Sequence, residues 1–179
     1  APFLVAVLVS NGYNQAVAST VGSTVAGFIM TAGAIGPFLG GMLSDRIGRT
    51  ASAALIFCIS GLCSFGLGWM LEAPWFMVLG VGFVYSFFVG FDSSVYTTAV
   101  TELADPRSLG SALALHSFLG FGAGMISPIV FGIIQDAAGP TYGWGYGFAT
   151  GGVAAVAAVA AMLVLRSMPE SKGMAKGKR

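Results

Sequence analysis

The chain has 179 residues, 56% of them hydrophobic and only 8% charged, with eight Lys and Arg against seven Asp and Glu. Its mean hydropathy is +0.85. Soluble domains carry about 25% charged residues, so the composition excludes an ordinary soluble domain and places the chain in a bilayer. Crossing a hydrocarbon core about 30 Å thick takes about 20 mostly apolar residues as helix. Residues 1–10 are apolar but only half that length, and read as the tail of a cut sixth helix, which would make the chain a fragment. They lack the basic leader and small-residue cleavage site of a secretory signal. Full spans are expected at 18–43, 51–70, 75–99, 109–135 and 144–165. These runs are apolar on every face and about twice as long as a β-barrel strand, so helices are expected. Glycines inside the spans, among 27 in the chain, suit close backbone approach between membrane helices.

The connections alternate in charge. Arg46 and Arg49 follow the first full span, Arg107 the third, and Arg166, Lys172, Lys176, Lys178 and Arg179 the fifth, while the other connections have no basic residue. By the positive-inside rule the 44–50 turn, the 100–108 loop and the tail 166–179 face the cytoplasm. Trp69, Trp75, Tyr142, Trp144 and Tyr146 fall near the opposite span ends, where amphipathic rings settle at an interface. The basic tail suits anionic lipid headgroups rather than nucleic acid.

The turn after the first full span reads Gly41-Met42-Leu43-Ser44-Asp45-Arg46-Ile47-Gly48-Arg49. This resembles the G-x-L-[AS]-D-R-x-G-R motif of the major facilitator superfamily of secondary transporters, with Thr50 where a further basic residue is common. The resemblance implies an all-α integral membrane bundle, here five full transmembrane helices plus the end of a sixth, working by alternating access. It also implies that Gly41, Asp45, Arg46, Gly48 and Arg49 form a cytoplasmic gate. In the family the motif Asp meets the N-terminus of a helix in the opposite half, where the helix dipole favours an anion. Glu102, Asp105 and Arg107 on the next cytoplasmic loop are candidate partners of the same latch, and plain solvation at the membrane surface is the alternative for all of them. Pro169-Glu170-Ser171-Lys172-Gly173 is similar to the PETKG sequence after the last helix of sugar porters. That similarity implies the C-terminal half of a transporter whose partner is a missing N-terminal half.

Residues 32–48 and 123–139 match without a gap at seven of seventeen positions: Ala, Gly, Ile, Pro, Gly, Asp and Gly. One copy leads inward and the other outward, as in inverted-topology repeats. The units would be residues 1–70 and 75–165. Chance matching of Gly- and Ala-rich helices is the alternative.

Asp92 is the one acid inside an expected span. A carboxylate there is costly and normally faces protein or a wet cavity. Tyr85, Asp92 and Tyr96 recur at helical spacing with Ser86, Ser93 and Thr97 alongside, which predicts a polar stripe; by the family resemblance this helix lines the central cavity. An Asp that merely fixes helix packing is the alternative. His116, the lone histidine, lies at a depth similar to Asp92 on the next antiparallel helix, so the two could form a titratable pair for proton coupling, unless His116 is simply bonded in a helix contact. The substrate or proton pathway is therefore expected at Asp92, His116, Tyr85, Tyr96 and Ser93.

Gly36-Pro37-Phe38-Leu39-Gly40-Gly41 resembles the family's antiporter motif but sits on the wrong helix, and a kinked, closely packed span explains it. Cys58 and Cys63 suit neither a tetrahedral metal site nor a disulfide framework. The chain shows no acyl-transfer triad, P-loop or clustered metal ligands, so no cofactor and no enzymatic activity are expected. The favoured function is secondary transport of a small solute across the plasma (inner) membrane, with proton coupling as an option. A six-helix channel or self-associating half-transporter is the alternative.

Overall fold

The computed structural model describes residues 1–169, 171 and 174, the side chain of Asp92 excepted. Helices account for nearly all of it: α1 (Pro2–Ser10), α2 (Gln15–Gly33), α3 (Gly36–Ile47), α4 (Arg49–Leu67), α5 (Trp75–Leu103) and α6 (Leu109–Ser167). Pro2 opens α1 with a preset φ. Asn14 caps α2 by accepting from the Val17 N–H at 2.9 Å.

The span expected at 18–43 is two helices. Pro37 has no N–H to donate to the Gly33 carbonyl and its ring crowds that carbonyl. The backbone responds with tighter i to i−3 bonds, Ala34 N to Thr31 O at 3.1 Å and Ile35 N to Ala32 O at 3.2 Å, before α3 begins. The two helices together still form a continuous apolar stretch, Gln15–Ile47, long enough to cross a membrane.

Single glycines replace two expected connections. Gly48 (φ 97°, ψ 157°) is the only residue between α3 and α4. Gly139 (φ 73°, ψ −178°) interrupts α6, and Pro140 restarts it. Both glycines occupy a backbone region essentially closed to other residues. The expected connection 136–143 therefore shrinks to one residue. As one rod α6 would be about 88 Å long, but its segments 109–138 and 140–167 fold back on each other. Phe131 sits 5.4 Å from Phe148 and 6.1 Å from Trp144, centroid to centroid. Among the described residues four stretches are long and apolar enough to span a membrane, and the break at Gly139 divides the last into two.

Small residues set the packing, as lipid offers no hydrophobic drive between helices. Along α4 and segment 140–167, a Cβ on Gly61 would lie 2.8 Å from the Ala155 Cβ and one on Gly151 2.8 Å from the Ser64 Oγ. The Ser64 hydroxyl donates across this contact to Phe148 O at 2.7 Å. Along α2, α3 and α5, added Cβ atoms on Gly36 and Gly40 would lie 2.8 and 2.5 Å from the carbonyl oxygens of Phe87 and Phe91. Two apolar clusters fill the interior, Phe3, Val7, Leu67 and Val78 in one and Ala53, Ile56, Phe91 and Val95 in the other. Phe28, Phe118, Phe121 and Met125 are more than 70% exposed, an apolar surface fit for lipid or another helix rather than water.

The bundle has two distinct ends. At one, Ser10 Oγ donates to Leu71 O (2.6 Å) and Asn11 Nδ2 to Ala73 O (3.1 Å), while Trp69 packs on Tyr142 and Tyr146. At the other, Arg49 on α4 reaches Glu102 on α5. Arg46, Arg49 and Arg107 belong to this second end and the interfacial aromatics to the first.

Candidate functional site

The one-residue turn at Gly48 presses the last turn of α3 against the first turn of α4, and there Arg49 is only 6% exposed. A buried guanidinium is tolerated only when its donors are matched. Nη1 donates to Asp45 Oδ1 at 2.6 Å and to the Ser44 hydroxyl. Nη2 donates to Glu102 Oε1 at 2.8 Å and Nε to Glu102 Oε2 at 3.2 Å. The Glu102 contact is the two-pronged fork that only arginine offers a carboxylate. Ser44, itself fully buried, donates to Gly41 O at 3.1 Å. One side chain thus ties α3, α4 and α5 together at the basic end. The Asp45 side chain remains 67% exposed, so it engages Arg49 and still offers a face to the outside.

The rest of the expected gate lies apart from this cluster. Arg46 is exposed. Asp105 accepts the Arg107 N–H at 2.8 Å and shapes the Asp105-Pro106-Arg107-Ser108 turn. Among the described residues neither Asp105 nor Arg107 forms an ion pair with Asp45, Arg46 or Arg49. Gly41 has open space where a Cβ would point, whereas its neighbour Gly40 is the one wedged against α5.

The polar stripe expected on α5 divides between faces. Tyr85 turns inward against the Phe3, Val7, Leu67 and Val78 cluster, its hydroxyl beside Ser64. Tyr96 packs on Phe57 at 5.8 Å and joins the second cluster. Ser93 and Thr97 are exposed instead. A tyrosine has an apolar body and one polar atom, so the half-buried rings of Tyr85 and Tyr96 can pack on apolar neighbours while the hydroxyl keeps a polar partner. Asp92 is a residue of α5, and its side chain lies outside the described residues. His116 is half-buried on α6, with no hydrogen bond or ion pair among the described residues. Of the tail similarity, Pro169 and Ser171 are described, and Ser171 Oγ donates to Met168 O at 2.7 Å. Glu170, Lys172, Gly173, Lys176, Lys178 and Arg179 fall outside the described residues.

Two structural participants escaped the sequence reading. Ser44 fixes Arg49 from within the motif; the spacing of Asp45 and Arg49, four apart and adjacent on a helical surface, was the available signal. Ser64 joins α4, α5 and segment 140–167, and nothing local in an apolar run distinguishes it from other serines.

The sequence profile described as Major Facilitator Superfamily matches residues 1–179, the entire chain. A curated relative, Autophagy-related protein 22-1 of Neosartorya fischeri, is 32% identical over 121 residues, 60% of this chain and 20% of the relative. The solved structure of the MFS proton:xylose symporter XylE bound to 6-bromo-6-deoxy-D-glucose superposes with a TM-score of 0.75 at 17% identity, over 98% of this chain and 45% of that one. The chain therefore spans less than half the length of either protein.

Proposed function

Because the chain belongs to the major facilitator superfamily, a family of multi-pass membrane transporters, we propose that it is the C-terminal half of a secondary transporter that moves a small solute by alternating access. Its partner in this reading is an N-terminal half of similar size. The end that holds Arg49 faces the cytoplasm of a plasma (inner) membrane, since the basic residues gather there. Residues 1–70 and 75–165 are inverted repeats, a reading supported by the matching turns at Gly48 and Gly139. Asp45, Arg46 and Arg49 close the cytoplasmic side, with Glu102 as the anchor that holds Arg49 in place.

The observation that most supports a moving gate is the Arg49 cluster. It spends its cation inside the half and leaves Asp45 largely exposed, so an anion remains available to a helix N-terminus of the companion half. Breaking and remaking that contact costs little, as befits a contact of a partly solvated charge. Asp92, Ser93 and His116 belong to the solute or proton pathway in this reading. With one intramembrane acid and one histidine, proton coupling is the favoured drive.

The test is solute exchange by the full-length protein in proteoliposomes, with a panel that begins with xylose, the solute named for the solved neighbour. Alternating access predicts saturable uptake that accelerates when unlabelled solute is present on the far side. Flux that neither saturates nor responds to far-side solute would favour a channel instead.

A further inference from the structure

Asp45 and Asp136 hold matching places in the two related stretches, each three residues before a glycine in the left-handed region, Gly48 (φ 97°) and Gly139 (φ 73°). Each glycine is the sole non-helical residue between two packed helical segments, so the two carboxylates leave helix ends of the same construction. The residue after the glycine differs. After Gly48 comes Arg49, which binds Asp45 at 2.6 Å. After Gly139 comes Pro140, which cannot donate to anything. Asp136 is exposed, makes no hydrogen bond or ion pair among the described residues, and lines an open cavity of about 220 Å³ with Gln135, Gly139, Pro140 and Trp144. That cavity lies at the aromatic-rich end, opposite the Arg49 cluster, and among the described residues no Lys or Arg belongs to that end.

We propose that Asp136 is the docking point, on the outer face, for a cationic side chain presented by the companion half. The inference rests on the transporter reading above. The same turn is used twice: where the chain supplies the cation itself, the acid helps build the inner latch, and where it supplies proline, the acid is left for a cation from across the interface. Charge complementarity argues for that occupant, because the chain offers an exposed carboxylate in a polar cavity, Glu72 is the other acid of that end, and among the described residues no Lys or Arg lies there. Contact between Asp136 and that cation closes the outer side, so the two acids hold opposite states.

The experiment uses the full-length protein with Cys58→Ser, Cys63→Ala and a single reporter, Ser93→Cys, labelled from outside with a membrane-impermeant maleimide. Asp136→Asn should raise the labelling rate roughly two- to fivefold, the scale of one partly solvated ion pair, and Asp136→Glu should restore it. Pro140→Arg should mimic Asp136→Asn, because the acid is then captured by its own chain as Asp45 is. Asp45→Asn should shift the rate in the opposite direction. An unchanged rate in Asp136→Asn overturns the proposal. If Asp45→Asn still shifts the rate, the cytoplasmic gate stands without it; if neither acid matters, the gate reading falls as well.

Discussion

Arg49 and Glu102, 53 residues apart in the chain, meet through two parallel contacts of 2.8 and 3.2 Å that join the start of α4 to the end of α5. Glu102→Gln leaves a buried guanidinium facing a neutral amide. It should destabilise the full-length protein by about 2 kcal/mol, read as a lower melting temperature in detergent. Arg49→Lys should do the same, since an ammonium cannot fork onto a carboxylate. A lysine variant as stable as the parent would mean that the fork contributes only bulk charge.

The two left-handed glycines that join packed helical segments, Gly48 and Gly139, should be irreplaceable. Gly48→Ala and Gly139→Ala each force a side chain into a backbone region that costs about 1–3 kcal/mol. Folded yield should fall in both, measured by size-exclusion chromatography of a fluorescent fusion. Gly41→Ala is the control: although part of the motif, Gly41 has no atom near its missing Cβ, and its substitution should leave the yield unchanged.

Backbone contact at mid-bundle makes a third prediction. An added Cβ at Gly36 would stand 2.8 Å from both Phe87 O and the Gly90 carbonyl carbon, neither of which can rotate away. Gly36→Leu should therefore separate α3 from α5 and cost about 1–3 kcal/mol. Gly27→Leu, on α2 with nothing close to its Cβ position, should be tolerated. Equal melting temperatures for the two variants would contradict the packing described.

In the proposed pathway Asp92 carries the coupling proton. Asp92→Asn should abolish uphill, proton-driven accumulation by the full-length protein while preserving energy-independent exchange. Coupling that survives the substitution would remove Asp92 from the mechanism.

Much of the fold was legible because hydrophobic run length translates directly into helix length in lipid. The stop at Gly139-Pro140 and the kink at Pro37 were marked by residues that cannot continue a helix. Their extent was not: an eight-residue connection was expected where one left-handed glycine suffices, and Pro37 divides a span instead of bending it. The Arg49 cluster was half legible, since the motif named Asp45 and Arg49 and the neighbouring loop offered Glu102, Asp105 and Arg107. Only side-chain reach, fixed by the tight turn at Gly48, selects Glu102. The α5 stripe was legible only as a spacing, because helical periodicity places Tyr85 and Tyr96 on a common face without saying whether that face meets water or Phe57 and Leu67.

Sidedness carries the rest of the account, and labelling of intact cells tests it most directly. In the cysteine-free full-length protein, Tyr142→Cys should react with an impermeant maleimide from the medium, and Arg46→Cys should react only after the membrane is opened. Reaction of position 46 in intact cells, with position 142 protected, would reverse the orientation and with it the placement of both proposed latches.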